Sequence, residues 1–273
     1  MSRLDADVIR AFAAAPARAR LANIQVFAEI DSTNSYLMQV PGPTPGKISI
    51  AATSNQTAGR GRHGKVWQSP PGSGLCLSAA YTFASQPKNL PTLTLALGLG
   101  VVGALEEMGV TGVELKWPND LVAKDGKLGG ILTEVQQQTA STVTVVTGVG
   151  INVELPQMQD TGVESEWARQ VVDLKGLCDT LPTHDEIGGK LTTHLFNTFV
   201  QFEQSGFAPM VERWLSYDWL LGRQISVDTA AEKVSGVGAG IANDGALLID
   251  TPNEGIRRIT SGTIVEAGAR GDS

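Results

Sequence analysis

A segment that is apolar on nearly all sides, residues 93–108, constrains the fold of this 273-residue chain more than any other feature. Leu, Ala, Val and Gly fill almost every position, so a helix here has no side suited to water. Such a helix must be covered by other layers of secondary structure. Because glycines interrupt the run and it is too short to cross a bilayer, we expect the buried helix of a globular domain and no membrane span.

Strand patterns lie on both sides of this helix. Alternating or β-branched stretches predict strands at residues 24–30, 48–53, 74–83, 113–117, 121–123, 128–136 and 142–153. Residues 1–23 predict a short helix with apolar positions at Leu4, Val8 and Phe12. Further helical patterns cover residues 164–178, 184–205 and 208–217.

The pattern changes near the C-terminus. From Arg223 onward short strand patterns alternate with turn signals at residues 243–245 and 253–255. We therefore place a domain boundary near Asp218, with one domain at 1–218 and a second at 219–273. The second segment predicts a small β-barrel that is too small to hold a large core alone and packs on the first domain.

Charge is distributed unevenly along the chain. The 74 residues from Ser32 to Leu105 contain no Asp or Glu, although the chain has 28 acids elsewhere. This stretch is formally +5, whereas the rest of the chain is −12. The overall charge of −7 argues against broad nucleic-acid or membrane affinity. Two cysteines make no disulfide framework and the N-terminus lacks a signal-peptide pattern, so a cytoplasmic enzyme is expected.

The acid-free stretch contains a loop rich in glycine and basic residues, spanning residues 59–65. It matches G-x-G-x-x-G, but Pro70 and Pro71 prevent the helix that a dinucleotide-binding fold needs at this point. It is not a P-loop either, because Val66 stands where a Mg²⁺-binding hydroxyl is required. Two interpretations stay open: a solvated surface loop, or a mobile loop that closes over a carboxylate or phosphate, with Trp67 as its anchor.

Five motifs in order carry a resemblance. They are Ser32-Thr33-Asn34, residues 57–67, residues 116–120, residues 127–132 and residues 148–152. Together they resemble the biotin protein ligases, which attach biotin to carboxylases, in detail over about residues 24–153. The resemblance implies an α+β fold with a mixed β-sheet catalytic domain of the biotin/lipoate ligase type, similar to class II aminoacyl-tRNA synthetases. It also implies a small C-terminal SH3-like β-barrel.

The resemblance implies a reaction and a set of site residues. The family makes biotinyl-5′-AMP from biotin, ATP and Mg²⁺, and passes biotin to a lysine of a biotin carboxyl carrier protein. By resemblance, the catalytic residues are Arg62, Asp120 and Lys127, with Asp120 orienting or deprotonating the carrier lysine. The biotin-binding residues are Ser32, Thr33, Asn34, Gln56, Arg60, Gly61, Arg62 and Lys127. The nucleotide-binding residues are Arg60, Arg62, Trp67, Asn119, Lys127 and Asn152. The Mg²⁺ ligands stay open.

Each motif alone also has an ordinary structural interpretation. Ser32 to Asn34 are good helix N-cap residues, and Lys127 could be an exposed hairpin lysine. Residues 116–120 could simply be a strand end with a proline turn. His184 and His194 are assigned no chemistry, and the two cysteines, Cys76 and Cys178, are expected to be small buried hydrophobes.

Three rival functions are weighed against the biotin ligase. A lipoate or octanoate protein ligase shares the fold and the acyl-adenylate chemistry, but the Gly-Arg loop and residues 116–120 favour biotin. A repressor is disfavoured because only about 23 residues precede the first predicted strand, so no DNA-binding domain and no specific operator are expected. An inactive nucleotide-binding module is disfavoured by Arg60, Arg62 and Lys127. A monomer or weak homodimer is expected.

Overall fold

The computed structural model describes residues 4–156 and 171–270. Its centre is a seven-stranded mixed sheet in the order β1-β2-β3-β7-β6-β5-β4. The β1–β2 pair is parallel and the other neighbours are antiparallel. The strands are β1 Leu21–Val26, β2 Ile48–Thr53, β3 Gly74–Phe83, β4 Glu114–Lys116, β5 Asp120–Ala123, β6 Gly126–Gln138 and β7 Val143–Asn152.

Helices pack on both faces of this sheet. On one face α4 and α5 lie against each other, α4 packs on β6, and α5 packs on β3. On the other face α3 packs on β2, β3 and β7. The helices are α1 Ala6–Phe12, α2 Ala15–Arg20, α3 Thr33–Gln39, α4 Leu93–Glu107, α5 His184–Ser205 and α6 Val211–Leu215.

The apolar helix is a core element, as predicted. Twelve residues of α4 are buried, including every residue from Leu95 to Leu105. The expectation that the run is too short to cross a bilayer is wrong, because residues Leu90–Glu107 are long and apolar enough by length and composition; 72% of this segment is, however, buried inside the protein. The burial is what a helix without a polar face requires.

The alternation of side chains along β3 creates the two faces of the sheet. Leu75, Leu77 and Ala79 point into the main core with the helices α4 and α5. Cys76 and Ser78 point to the opposite face, where the sheet meets α3. The same period on β7 leaves glycines on the α3 face, so this face has room for a cavity.

A five-stranded antiparallel sheet follows the main domain, in the order β11-β10-β9-β8-β12. Within the described part of the chain, β11 and β12 are its edges. Its strands are β8 Arg223–Asp228, β9 Lys233–Ile241, β10 Leu247–Thr251, β11 Gly255–Ile259 and β12 Thr263–Arg270. This sheet is the C-terminal β-domain that the sequence predicts, and both predicted turns, at 243–245 and 253–255, connect its strands.

The C-terminal sheet is joined to the main sheet through β4. The Trp219 N–H donates to the Leu115 carbonyl at 3.0 Å, and the Leu115 N–H donates to the Tyr217 carbonyl at 2.7 Å. The Trp117 indole donates to the Gly245 carbonyl at 3.0 Å. The position of the domain boundary near Asp218 stays a prediction.

Two predicted elements at the start of the main domain are wrong in part. Instead of one helix, the described residues before β1 form α1 and α2, and Pro16 lies in the first turn of α2. Val8 and Phe12 are 40% and 39% exposed, so Ile9 rather than these two residues is the core side chain of α1. The predicted strand at 24–30 lies in β1, which ends earlier, at Val26.

The helical predictions after β7 have mixed outcomes. The helix at 184–205 is confirmed as α5. Of the helix predicted at 164–178, residues 164–170 lie outside the described residues, and residues 171–178 contain only a 3₁₀ turn at Leu174–Gly176. The helix predicted at 208–217 begins as a 3₁₀ turn at Ala208–Met210, which contains Pro209, and continues as α6 only to Leu215.

Candidate active site

A cavity of about 230 Å³ lies on the α3 face of the main sheet. It is bounded by the N-terminus of α3, the glycine- and arginine-rich loop, and the ends of β5, β6 and β7. Most residues that the sequence assigns to a site line this cavity. These are Ser32, Thr33, Asn34, Gln56, Arg60, Gly61, Arg62, Trp67, Asn119, Asp120 and Lys127.

The polar floor of the cavity consists of Thr33, Asn34, Gln56 and Ser78. The Ser78 hydroxyl donates to Asn34 Oδ1 at 2.6 Å and lies 2.7 Å from Thr33 Oγ1. The Thr33 N–H donates to Gln56 Oε1 at 2.8 Å. Thr33, Asn34 and Ser78 are at most 4% exposed, so their unused hydrogen-bonding capacity faces the cavity or the protein rather than bulk water.

The N-cap interpretation of the Ser32 motif is confirmed together with its place at the cavity. The Ser32 side chain accepts a hydrogen bond from the Ser35 N–H at 3.3 Å, which caps α3. Thr33 and Asn34 then form the first turn of the helix and point to the floor. The cap therefore places both polar side chains.

Two glycines of β7 give the wall its shape. A Cβ atom at Gly148 would clash with Asn34, and a Cβ atom at Gly150 would lie 2.6 Å from the Trp67 ring. The side chains of Asn34 and Trp67 occupy the space that these residues leave empty. The two glycines of β7 thus allow the Asn34 amide and the Trp67 ring to lie close to the strand backbone.

We expect Gly150→Ala to lower the free energy of unfolding by about 1–3 kcal/mol, because Trp67 must move out of a packed site. Gly130→Ala is the matched control, since its Cβ would meet its nearest neighbour, Asp120 Oδ1, at an ordinary 3.6 Å. Urea unfolding of both variants measures the difference. Equal stabilities for the two variants would show that Trp67 does not depend on Gly150.

The glycine- and arginine-rich loop is a small hairpin across the mouth of the cavity. The Trp67 N–H donates to the Gly59 carbonyl at 3.0 Å, and the Gly61 N–H donates to the Lys65 carbonyl at 2.7 Å. At the tip His63 has a left-handed backbone with φ of 54°, and Gly64 follows with φ of 73°. The turn accounts for Gly64, because left-handed φ suits glycine.

Each loop arginine has a different anchor. Arg60 makes two bonds to the Glu134 carboxylate, at 2.6 and 3.1 Å. Arg62 reaches Asn119 Oδ1 at 3.4 Å. Burial lowers the pKa of Arg62, and the nearby Asp120 carboxylate opposes that shift. A partly desolvated guanidinium without a close carboxylate partner favours an anion at this position.

Lys127 lies on the opposite wall of the cavity. Its Nζ is 2.7 Å from Asp120 Oδ1 and 5.8 Å from the centre of the Trp67 ring. The side chain is 39% exposed, so it is a partly exposed hairpin lysine that also lines the cavity. Lys127 and Asp120 face each other across a hairpin because β5 pairs with β6.

Lys116 is a further cation of the cavity that the sequence analysis did not single out. It is half-buried, and its pKa is lowered first by desolvation, with Asp120 opposing and the cations Lys127, Lys65 and Arg223 adding to the decrease. Its Nζ lies 5.0 Å from the centre of the Trp219 ring. The cavity therefore holds several cations in addition to its polar floor.

Asn152 does not line the cavity, although it bonds the backbone of Lys127, which does. Its amide donates to the carbonyls of Lys127 at 3.3 Å and Val172 at 3.0 Å, so it fixes the start of β6. A contact with nucleotide stays a prediction. Ser78 was missed by the sequence analysis, although its position two residues after Cys76 on an alternating strand would have placed both on the same face.

The two cysteines differ in burial. Cys76 is 5% exposed and lines the cavity, where burial raises the pKa of its thiol to about 12 against a smaller opposite effect from Trp67. The thiol thus stays protonated at neutral pH and acts as a small apolar side chain. Cys178 is only partly buried. His194 lies outside the cavity and contacts Glu107 at 2.8 Å.

Fold and site together define an α+β protein whose main sheet carries a cavity with a buried polar floor and several cations. Two family models match the chain: the biotin/lipoate A/B protein ligase family over residues 26–152, and the biotin protein ligase C-terminal domain over residues 220–265. The chain belongs to the biotin protein ligase family.

Relatives and solved structures agree with this assignment. The chain is 32% identical over 228 residues to the bifunctional ligase/repressor BirA of Salmonella typhimurium, covering 84% of this chain and 69% of that protein. It is 28% identical over 235 residues to the biotin–[acetyl-CoA-carboxylase] ligase of Paracoccus denitrificans, covering 83% and 94%. Among solved structures, the biotin protein ligase from Aquifex aeolicus in complex with biotin and ATP superimposes with a TM-score of 0.72 at 28% identity, covering 89% and 97%.

Proposed function

We propose that this protein activates biotin with ATP to form biotinyl-5′-AMP, and then transfers the biotinyl group to a lysine of a biotin carboxyl carrier protein. One observation carries the proposal: a buried polar floor and a cluster of cations meet in one cavity under a glycine-rich loop. A molecule with a polar ring at one end and a carboxylate at the other fits both ends at once. Biotin has this shape, and the relatives named above are biotin ligases.

The polar floor is assigned to the ureido ring of biotin. Ser32, Thr33, Asn34 and Gln56 supply hydroxyl and amide groups, and Ser78 completes the set. A ureido group carries both N–H donors and a carbonyl acceptor, so it can satisfy these groups. A site built from buried polar groups rejects a ligand that leaves them unpaired.

The first reaction step joins two anions, which explains the cations. A biotin carboxylate oxygen attacks the α-phosphorus of ATP, the bond to the bridging oxygen breaks, and pyrophosphate leaves with the bonding electrons. Arg60, Arg62 and Lys127 are assigned to the carboxylate and α-phosphate, where positive charge stabilises the transition state. Gly61 has no side chain, so the loop backbone can come close to biotin. Trp67 and Asn119 are assigned to the nucleotide, and Asn152 is a more distant candidate for nucleotide binding.

The second step transfers the acyl group. The uncharged amine of the carrier lysine attacks the acyl carbon, AMP leaves, and the amine loses a proton. Asp120 is assigned to orient that amine or accept its proton. Because Asp120 Oδ1 already bonds Lys127 at 2.7 Å, the carboxylate is held in place before the carrier arrives.

Mg²⁺ is proposed as the metal that accompanies ATP. No cluster of three or more His, Cys, Asp or Glu side chains suited to a metal occurs within residues 4–156 and 171–270. Mg²⁺ is commonly held by one or two carboxylates together with substrate phosphates and water. Asp120 is the carboxylate that lines the cavity, so the residues fit an ion that arrives with the nucleotide.

The remaining expectations stay predictions. They are a cytoplasmic location, a monomer or weak homodimer, and no binding to a specific operator DNA or to a membrane. The lipoate or octanoate ligase is the alternative function, but the buried polar floor disfavours it. An apolar acyl chain or dithiolane brings no hydrogen-bonding group to the polar side chains that line this floor.

We expect the purified protein, given biotin and MgATP, to add one biotinyl group to a biotin carrier domain. The same mixture with lipoate in place of biotin should leave the carrier unmodified. The intact mass of the carrier detects the biotinylated product, and pyrophosphate release measures the adenylation step. A carrier domain whose target lysine is replaced by arginine is the control for site specificity. Pyrophosphate release with lipoate or octanoate, but none with biotin, would establish the alternative.

A further inference from the structure

Glu134 on β6 bonds both to the polar floor and to the loop above the cavity. Its Oε2 accepts hydrogen bonds from Asn34 Nδ2 at 3.0 Å and from Arg60 Nη1 at 3.1 Å. Its Oε1 accepts from Arg60 Nη2 at 2.6 Å. The side chain is 23% exposed, so these charge-assisted bonds are partly shielded from water. One carboxylate thus joins two parts of the site that are distant in sequence.

The floor side of this contact sets the direction of the Asn34 amide. Asn34 Nδ2 donates to Glu134 Oε2 at 3.0 Å and, over a longer distance of 3.3 Å, to the Leu132 carbonyl. Because both partners only accept hydrogen bonds, Asn34 must turn its NH₂ group toward them. Asn34 Oδ1 then faces Ser78, which donates to it at 2.6 Å. Thr33 Oγ1 lies 2.7 Å from Ser78 Oγ and 3.0 Å from Gln56 Oε1, so the network that ends at the carboxylate extends to Gln56. Glu134 makes the shorter of the two contacts that orient Asn34 within this network.

The loop side of the contact anchors the first arginine. Arg60 is 45% exposed and begins the hairpin that covers the cavity. Two parallel bonds to one carboxylate give this pair a defined geometry that a single bond lacks. The second loop anchor, from Arg62 to Asn119, is a single contact at 3.4 Å. Glu134 therefore provides the stronger attachment of the loop to the sheet.

We propose that Glu134 is a positioning residue that couples the biotin pocket to the loop: it orients Asn34 and holds Arg60, so that a filled floor and a closed loop stabilise each other. The proposal rests on the proposed function, because biotin is the ligand of the floor. Coupling of this kind is reciprocal, so loss of Glu134 must weaken both the binding of biotin and its effect on the loop.

The test variant is Glu134→Gln, which keeps the shape of the side chain. Glutamine can donate as well as accept, so it no longer fixes the Asn34 amide, and it carries no charge for Arg60. We expect the dissociation constant for biotin, measured by titration calorimetry, to rise on the order of tenfold. We also expect biotin to protect the loop less from trypsin, which cleaves after Arg60, Arg62 and Lys65.

Two further variants separate coupling from general damage. Glu154→Gln removes an exposed carboxylate that pairs with Lys175, and it should behave as wild type in both measurements. Arg60→Gln leaves the bond between Asn34 and Glu134 in place. It should reduce protection of the loop, read from cleavage after Arg62 and Lys65, while the Asn34 amide keeps its orientation.

The outcomes are distinct. Weaker biotin binding together with reduced protection in Glu134→Gln supports the coupling. If either property changes while the other matches wild type, Glu134 serves one part of the site only and the coupling is refuted. Wild-type behaviour in both refutes it as well. Failure of the proposed function is recognised separately, because the wild-type protein would then bind no biotin in the same titration.

Discussion

Replacement of Lys127 by alanine is expected to lower kcat for adenylation by roughly 10²–10³-fold. The ammonium lies on the cavity wall and is assigned to the oxygens whose negative charge increases as carboxylate and α-phosphate combine. Its contribution is therefore larger in the transition state than in the bound substrate. Biotin binding should weaken less, because the polar floor is unchanged. Single-turnover formation of biotinyl-5′-AMP measures the first effect, and calorimetric titration with biotin measures the second.

The control for this variant is Lys124→Gln. Lys124 belongs to the same hairpin, but its Nζ donates to the Gly176 carbonyl at 2.7 Å and it is absent from the cavity lining. It should retain wild-type adenylation. Lys127→Ala also leaves the Asp120 carboxylate without its partner. The variants Lys127→Met and Asp120→Asn are therefore measured in the same single-turnover assay. An unchanged single-turnover rate in Lys127→Ala would show that Lys127 has no catalytic role in adenylation.

Strong local patterns in the sequence were sufficient to predict the central elements of the fold. The strands at 48–53 and 74–83 and the helix at 184–205 have the predicted bounds. Each combines a continuous hydrophobic period with clear flanking residues, such as the Thr183 cap of α5. Residues 171–178 lack such a period, and their contacts with the rest of the protein decide their conformation instead.

The site could be predicted only where its residues form local motifs. The residues of the loop and of the Ser32 motif stand close together in the chain, so their composition was visible. Glu134 is 74 residues from Arg60 and 100 residues from Asn34, so no spacing in the sequence connects them. Lys116 was within a recognised motif, yet its partial burial results from packing against Trp219 in the next domain. Such contacts depend on the tertiary structure.

The sequence also could not tell a ligand-binding residue from a structural one of the same type. Asn152 follows two glycines on a strand, a pattern that predicts a residue facing a nucleotide, and its Nδ2 donates to two backbone carbonyls, so it also has a structural role. Ser32 has two roles at once, because it caps a helix and also lines the cavity. A polar residue in a motif becomes a binding residue only if its hydrogen-bonding capacity stays available.

The composition and contacts of the glycine- and arginine-rich loop suggest a way in which the enzyme retains its intermediate. Biotinyl-5′-AMP is a reactive mixed anhydride, and a closed loop must shield it until the carrier lysine arrives. Gly59, Gly61 and Gly64 give the loop freedom, so contacts with the ligand should add to the Arg60–Glu134 pair in holding it closed. Arg62 has a partly buried guanidinium and a single long contact, to Asn119. A charge-assisted hydrogen bond from Arg62 to the intermediate contributes about 1.5–3 kcal/mol.

Arg62→Gly should therefore still form the intermediate but release it roughly 10–150-fold faster, if the lost bond acts mainly on dissociation. Free biotinyl-5′-AMP would then label lysines on unrelated proteins. Stopped-flow dissociation of preformed intermediate measures the first effect, and biotin incorporation into added albumin measures the second. His63→Gly is the matched control, because it adds a glycine at a left-handed position of the same loop without removing the guanidinium. If Arg62→Gly matches wild type in both measurements, closure of the loop does not depend on this arginine.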